Sequence, residues 1–181
     1  CIAIQSNQND QHGGQSIPNF DYGMAEGVKK TFRKLYRKNL AEICEDILDR
    51  DDLTDEIDTL MDEVESKQGG NGLMPPEGFD EAVSARLTDR FEGVASNALH
   101  MVQRARRRAE QQTDRDTYQS MEGFVHNLNT MHSRAGAQTP FSSINYGTDT
   151  TPEGRMVIRN ILLALDAGLG HGETCIFQIG R

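Results

Sequence analysis

The sequence predicts an α/β chain that is mostly helical. Three observations lead there. Through the first two thirds, apolar residues recur with a period near 3.6, the spacing that buries one face of a helix. A run rich in glycine and proline, Gly69 to Gly78, interrupts them and reads as a loop. In the last third a short alternating stretch, a capped helix and a second short stretch follow one another. That order is a strand-helix-strand crossover, a piece of a larger parallel sheet or barrel.

From Met24 the apolar positions are Val28, Phe32, Leu35, Leu40, Ile43 and Ile47, with Gly27 as a weak spot. Asp51 and Asp52 break the run, and Thr54 is placed to cap a new helix before Ile57, Leu60, Met61 and Val64. After the loop, Phe79, Val83, Leu87, Phe91, Val94, Leu99 and Val102 share one side of a second long helix, whose polar end, Arg104 to Gln112, is expected to be exposed. Another helix should start near Asp114 or Asp116, present Tyr118, Met121, Phe124, Val125, Leu128 and Met131, and close at Gly136. Pro140 to Tyr146 alternates apolar and polar residues and reads as a strand ending at Gly147. Thr151, Pro152 and Glu153 supply a cap, a proline in the first turn and a first-turn acid for a helix that ends at Gly168. A second strand is expected over Glu173 to Ile179.

Composition narrows the classes. The chain has 181 residues, 36% of them apolar, no tryptophan and a mean hydropathy of −0.63. No apolar run approaches the ~20 residues of a membrane span, so a transmembrane helix is excluded. There is no signal-peptide pattern. Cys1, Cys44 and Cys175 are odd in number and far apart, which excludes a disulfide framework and points to a reducing compartment. A net charge of −9 argues against general nucleic-acid binding. The charge is blocked, however. Lys29, Lys30, Arg33, Lys34, Arg37 and Lys38 form one basic block, and Arg104, Arg106, Arg107 and Arg108 another, while Glu42 to Glu65 holds twelve carboxylates and one base. Solvated faces with i to i+4 pairing are the plain reading. A polyanion of limited size, such as a nucleotide, is the sharper one.

Two stretches could carry chemistry. Gln5 to Ser16 packs amides, hydroxyls, Asp10, His12, Gly13 and Gly14 together. Carboxamides can meet a base edge or a ribose, and paired glycines let main-chain N–H groups approach a phosphate. A polar loop with helix caps is the plainer alternative. Near the expected strand lie Asn127, Asn129, His132, Arg134 and Gln138, then Ser142, Ser143 and Asn145, where small hydroxyls suit close approach of a sugar or phosphate. No CxxC or HxxxH spacing supports a metal site, Ser142 lacks triad partners, and Cys44 reads as a packing residue.

Several blocks resemble one family, the anaerobic (class III) ribonucleoside-triphosphate reductases: Gln5 to Pro18 with Phe20-Asp21-Tyr22, Tyr118 to Glu122 with His126 to Gln138, and Pro140 to Thr150 with Pro152 to Met156. The resemblance implies a glycyl-radical enzyme with a ten-stranded α/β barrel. It converts ribonucleoside triphosphates to deoxyribonucleoside triphosphates through a thiyl radical, in deoxyribonucleotide biosynthesis for DNA replication. It further implies a cytoplasmic homodimer, an activating partner carrying an iron–sulfur cluster and S-adenosylmethionine, ATP and dNTP effectors, and a zinc site elsewhere in the parent. On this resemblance the chain is an incomplete, internal piece. Residues 1–112, with the loop at 66–78, would form the helical effector and dimer-interface region, and residues 113–181 the helix-strand-helix-strand part of the barrel. Gln5, Gln8, His12, Gly13, Gly14 and Gln15 are the candidate effector contacts, with Arg33, Arg37 and Lys38 for its phosphates. Ser142, Ser143 and Asn145 are the candidate substrate contacts. The radical cysteine and glycine are expected outside this chain, so no residue here is given a catalytic or metal role and the chain alone is expected to be inactive. The competing reading is a non-catalytic helical interaction module whose basic and acidic blocks pair two chains.

Overall fold

A computed structural model describes residues 15–70, 72–130 and 142–168. Gln5, Gln8, His12, Gly13, Gly14, the helix end at Gly136 and the strand expected at Glu173 to Ile179 lie outside the described residues. The elements are β1 (Gln15–Ile17), α1 (Phe20–Leu48), α2 (Thr54–Gln68), α3 (Phe79–Arg90), α4 (Ala98–Thr130), β2 (Ser142–Ile144) and α5 (Pro152–Ala167). The described part is therefore mostly helical, with one small sheet.

Tertiary contacts override several local signals. α1 starts at Phe20, ahead of the periodic run, because the Phe20 N–H donates to the Asn145 carbonyl at 2.8 Å. α2 does not use Thr54 as its cap. Leu53 holds that position without a side-chain cap bond, and Thr54 is the first helical residue. Leu53 is fully buried and its N–H donates to Glu45 Oε1 at 2.9 Å, so burial of a leucine sets this helix start.

The helix expected to run on from Phe79 to Val102 breaks after Arg90. Phe91 turns extended, with φ −124° and ψ 116°, and Gly93 takes φ 100°, a conformation that glycine adopts without strain. Phe91 and Val94 stay buried across the break, which is why the apolar spacing hid it. Conversely, no break occurs at Asp114 or Asp116, and α4 runs through both. The Asp114 carboxylate caps nothing; it accepts from Asn160 Nδ2 at 2.8 Å and from Arg159. Nor is Arg104 to Gln112 simply an exposed end, since Ala105, Arg106 and Ala109 are buried. α5 follows the sequence reading. The Thr151 hydroxyl accepts from the Gly154 N–H at 3.2 Å, Pro152 opens the helix, and Gly168 closes it at φ 70°.

β1 and β2 pair in parallel, Gln15 beside Ser142, Ser16 beside Ser143 and Ile17 beside Ile144. The described residues form two compact units, 28–113 and the rest of them, and both α1 and α4 contribute to each. Within 28–113, Phe32, Leu40, Ile57, Met61, Phe79, Leu87 and Met101 lead the core. Cys44 lies in it, and burial pushes its thiol pKa up to about 12, so it packs and does not react. In the other unit, Phe20, Met121, Val125, Leu128, Ile144, Val157 and Ile161 are buried, and the Phe20 and Phe124 rings stand 5.2 Å apart.

Gly154 supplies a direct test of this packing. A Cβ there would come within 2.5–2.7 Å of the Asp149 side chain, which is itself held by the Thr151 N–H at 2.8 Å. Gly154→Ala should cost about 1–3 kcal/mol of stability, as overpacking does. Gly27→Ala, in open helical space, should instead be neutral or stabilising. Equal thermal midpoints for the two variants would contradict the packing described.

Candidate functional site

The sequence-derived candidates that are described fall into two groups, one in each unit. In the first, the sheet register sets Gln15 directly beside Ser142. Ser142 is buried, and its hydroxyl has no hydrogen-bond partner among the described residues. Ser143 is half-buried, and the Asn145 side chain is exposed while its N–H donates to the Ile17 carbonyl at 2.9 Å.

Below β2 sits a carboxylate that sequence reasoning missed. Asp21, in the first turn of α1, is buried, and its Oδ2 accepts the N–H groups of Gly147 and Asp149, each at 2.9 Å. Burial opposes its charge, but the main-chain donors of Asp149, Gly147 and Tyr22 win and hold the carboxyl below the usual range. Apart from its place in the Phe20-Asp21-Tyr22 block, its local signal was an acid in a first helical turn, which normally means a dipole contact and nothing more.

The second group is ionic. Arg33 donates through Nε to Glu65 Oε2 at 2.8 Å and through Nη2 to Asp62 Oδ1 at 2.9 Å. Arg37 donates through Nη2 to Asp62 Oδ1 at 2.6 Å and through Nη1 to the Asp58 carbonyl at 3.2 Å, with Glu65 Oε2 at 3.1 Å. The Arg37 bond is the main reason that the Asp62 carboxyl sits below its ordinary value. These pairs join α1 to α2 across the fold. Among the described residues, only Lys38 follows the i to i+4 pattern, 3.7 Å from Glu42 and exposed. Arg33 and Arg37 of the basic block thus meet the acidic block between helices of one chain.

The whole sequence then places these residues in context. A family model described as anaerobic ribonucleoside-triphosphate reductase matches residues 1–179. The chain belongs to this family. It is 39% identical over 70 residues to the anaerobic ribonucleoside-triphosphate reductase of Enterobacteria phage T4, covering 38% of this chain and 11% of that protein. It is 33% identical over 70 residues to the protein of the same name from Salmonella typhimurium, covering 38% of this chain and 10% of that one. The matched stretch is thus about a tenth of each relative.

For this member of the reductase family, the structure sets Gln15 beside Ser142 and Ser16 beside Ser143, and separately joins Arg33 and Arg37 through shared carboxylates. A groove of about 250 Å³ between α2 and α3 has Glu56, Glu63, Arg86, Asp89 and Arg90 in its walls and none of the candidate residues. Among the described residues, no group of three or more His, Cys, Asp or Glu side chains is arranged to hold a metal. No described helix is long and apolar enough to cross a membrane.

Proposed function

We propose that this chain supplies the effector-specificity region and part of the substrate barrel of an anaerobic ribonucleotide reductase. The parent converts ribonucleoside triphosphates to deoxyribonucleoside triphosphates in the cytoplasm by glycyl-radical chemistry. It acts as a homodimer activated by an iron–sulfur, S-adenosylmethionine partner. Residues 1–112 form the effector and dimer region, and residues 113–181 form part of the barrel. Gln5, Gln8, His12, Gly13, Gly14 and Gln15 contact the effector, Arg33, Arg37 and Lys38 take its phosphates, and Ser142, Ser143 and Asn145 line the substrate site.

One observation carries this reading: in a member of the reductase family, the amide-rich stretch ends in a strand that pairs with Ser142–Ile144. The buried Ser142 hydroxyl, with no partner among the described residues, suits a ligand contact.

In the full-length parent, Gln8→Ala or Gln15→Ala should weaken effector binding about 5- to 150-fold, the loss of one buried hydrogen-bonding group. Basal turnover should change less than effector dependence. Ser142→Ala should instead raise KM or lower kcat for every ribonucleotide, since a substrate contact serves them all. Turnover of each ribonucleotide with and without its effector separates the two classes. Glutamine variants with wild-type effector dependence would make the early polar stretch structural.

A further inference from the structure

The two guanidiniums on α1 share their acceptors in an unusual way. Asp62 Oδ1 accepts from Nη2 of both Arg33 and Arg37, at 2.9 and 2.6 Å. Glu65 Oε2 accepts from Arg33 Nε at 2.8 Å and lies 3.1 Å from Arg37 Nη2. Two oxygens, each shared by the same two guanidiniums, is the pattern that one phosphate group would present, because the guanidinium fork fits carboxylate and phosphate alike. We infer that α2 is an internal competitor for phosphate: Asp62 and Glu65 occupy Arg33 and Arg37, and a nucleoside triphosphate gains these arginines only as the carboxylates let go.

Charge makes the exchange necessary. Asp58 Oδ1 also lies 3.3 Å from Arg37 Nη1, so three carboxylates face two guanidiniums and the cluster is net negative. An incoming triphosphate is repelled until a carboxylate leaves. Exposure gives the order of events. The Asp62 and Arg33 side chains are 62% and 42% exposed, so a phosphate reaches Arg33 from solvent while Asp62 swings out. Arg37, 11% exposed, stays anchored by the Asp58 carbonyl. Occupancy is thereby coupled to the seating of α2 on α1, which gives the effector a mechanical consequence as well as a binding site.

This inference rests on the proposal above that Arg33 and Arg37 meet effector phosphates, and the test separates the two. Inorganic tripolyphosphate and dATP are titrated calorimetrically into the full-length parent at low ionic strength. The variants are D62N, D62N/E65Q and R33Q/R37Q/D62N/E65Q, the last lacking both guanidiniums and two of the three carboxylates. Removing two unit charges about 5 Å from the phosphate should tighten binding about tenfold in D62N/E65Q, and a few-fold in D62N, after screening. The quadruple variant should lose that gain and bind more weakly than wild type. If D62N/E65Q binds no tighter while the quadruple variant binds more weakly, the arginines touch phosphate without competition, and the inference fails while the phosphate assignment stands. If no variant alters binding, both fail. Should the double variant not fold, D62N, at an exposed position, decides the matter.

Discussion

Replacing Arg106 by alanine should lower the unfolding free energy of the helical unit by about 3–5 kcal/mol, the usual cost of breaking a buried ion pair from one side. Arg106 is 9% exposed on α4, and its guanidinium donates through Nε to Asp80 Oδ1 at 3.0 Å and through Nη2 to the same oxygen. The same group lies over two rings, 5.0 Å from the Tyr36 centroid and 5.7 Å from that of Phe79. One side chain thus ties α1, α3 and α4 together. Truncation removes the cation–π contacts, opens a void beside two rings, and strands the Asp80 carboxylate in α3. A double variant isolates the ionic part. Arg106→Ala with Asp80→Ala should be less destabilised than the two single losses added together, because the second change removes the stranded charge. Urea titrations of the four proteins measure this, and strict additivity would show that the pair contributes no coupling.

Arg106 also shows what the sequence left hidden. It stands among Arg104, Arg107 and Arg108, so charge alone marks it as one more solvated base. Ala105 and Ala109 beside it were the usable hint, since small apolar residues at helical spacing allow close packing on that face. Helix existence was legible wherever leucine, isoleucine and valine kept their period, and α5 was legible to its ends because Thr151, Pro152 and Gly168 act locally. Boundaries set by distant partners were not. The break at Phe91 preserves the apolar spacing, Asp114 is spent on Asn160 and Arg159, and β1 is three residues whose partner lies more than a hundred residues away. The candidate site was half legible for the same reason. Residue types identified Gln15 and Ser142 as polar groups of interest, but only strand register makes them neighbours. The arginines of α1 were visible as a basic block, whereas the α2 carboxylates that they bind could equally have faced water.

Asp21→Ala should destabilise the unit containing the sheet by about 1–3 kcal/mol, because two main-chain donors lose a charged acceptor and the buried one, the Asp149 N–H, is left unpaired. Those donors, Gly147 and Asp149, span the turn between β2 and α5, and the Thr148 hydroxyl reaches Oδ1 at 3.4 Å. The carboxylate therefore fixes the start of α1 against the loop that follows Ser142 and Asn145. Asp21→Asn keeps the shape and one good acceptor but removes the charge, so its loss should be smaller and should depend on pH. The sign follows from the depressed carboxyl pKa, held below its ordinary 3.8 in the folded chain. Folding then favours the ionised form, and the contribution is complete above about pH 5 and fades as pH falls through the folded pKa. The stability difference between wild type and Asp21→Asn should accordingly be flat at neutral pH and shrink on acidification, while Asp62 and the other carboxylates titrate alike in both proteins and cancel. Denaturation midpoints of the pair across the acidic range test this. A difference that held constant down to full protonation would mean that Asp21 acts through shape alone, and that its main-chain donors gain nothing from the charge.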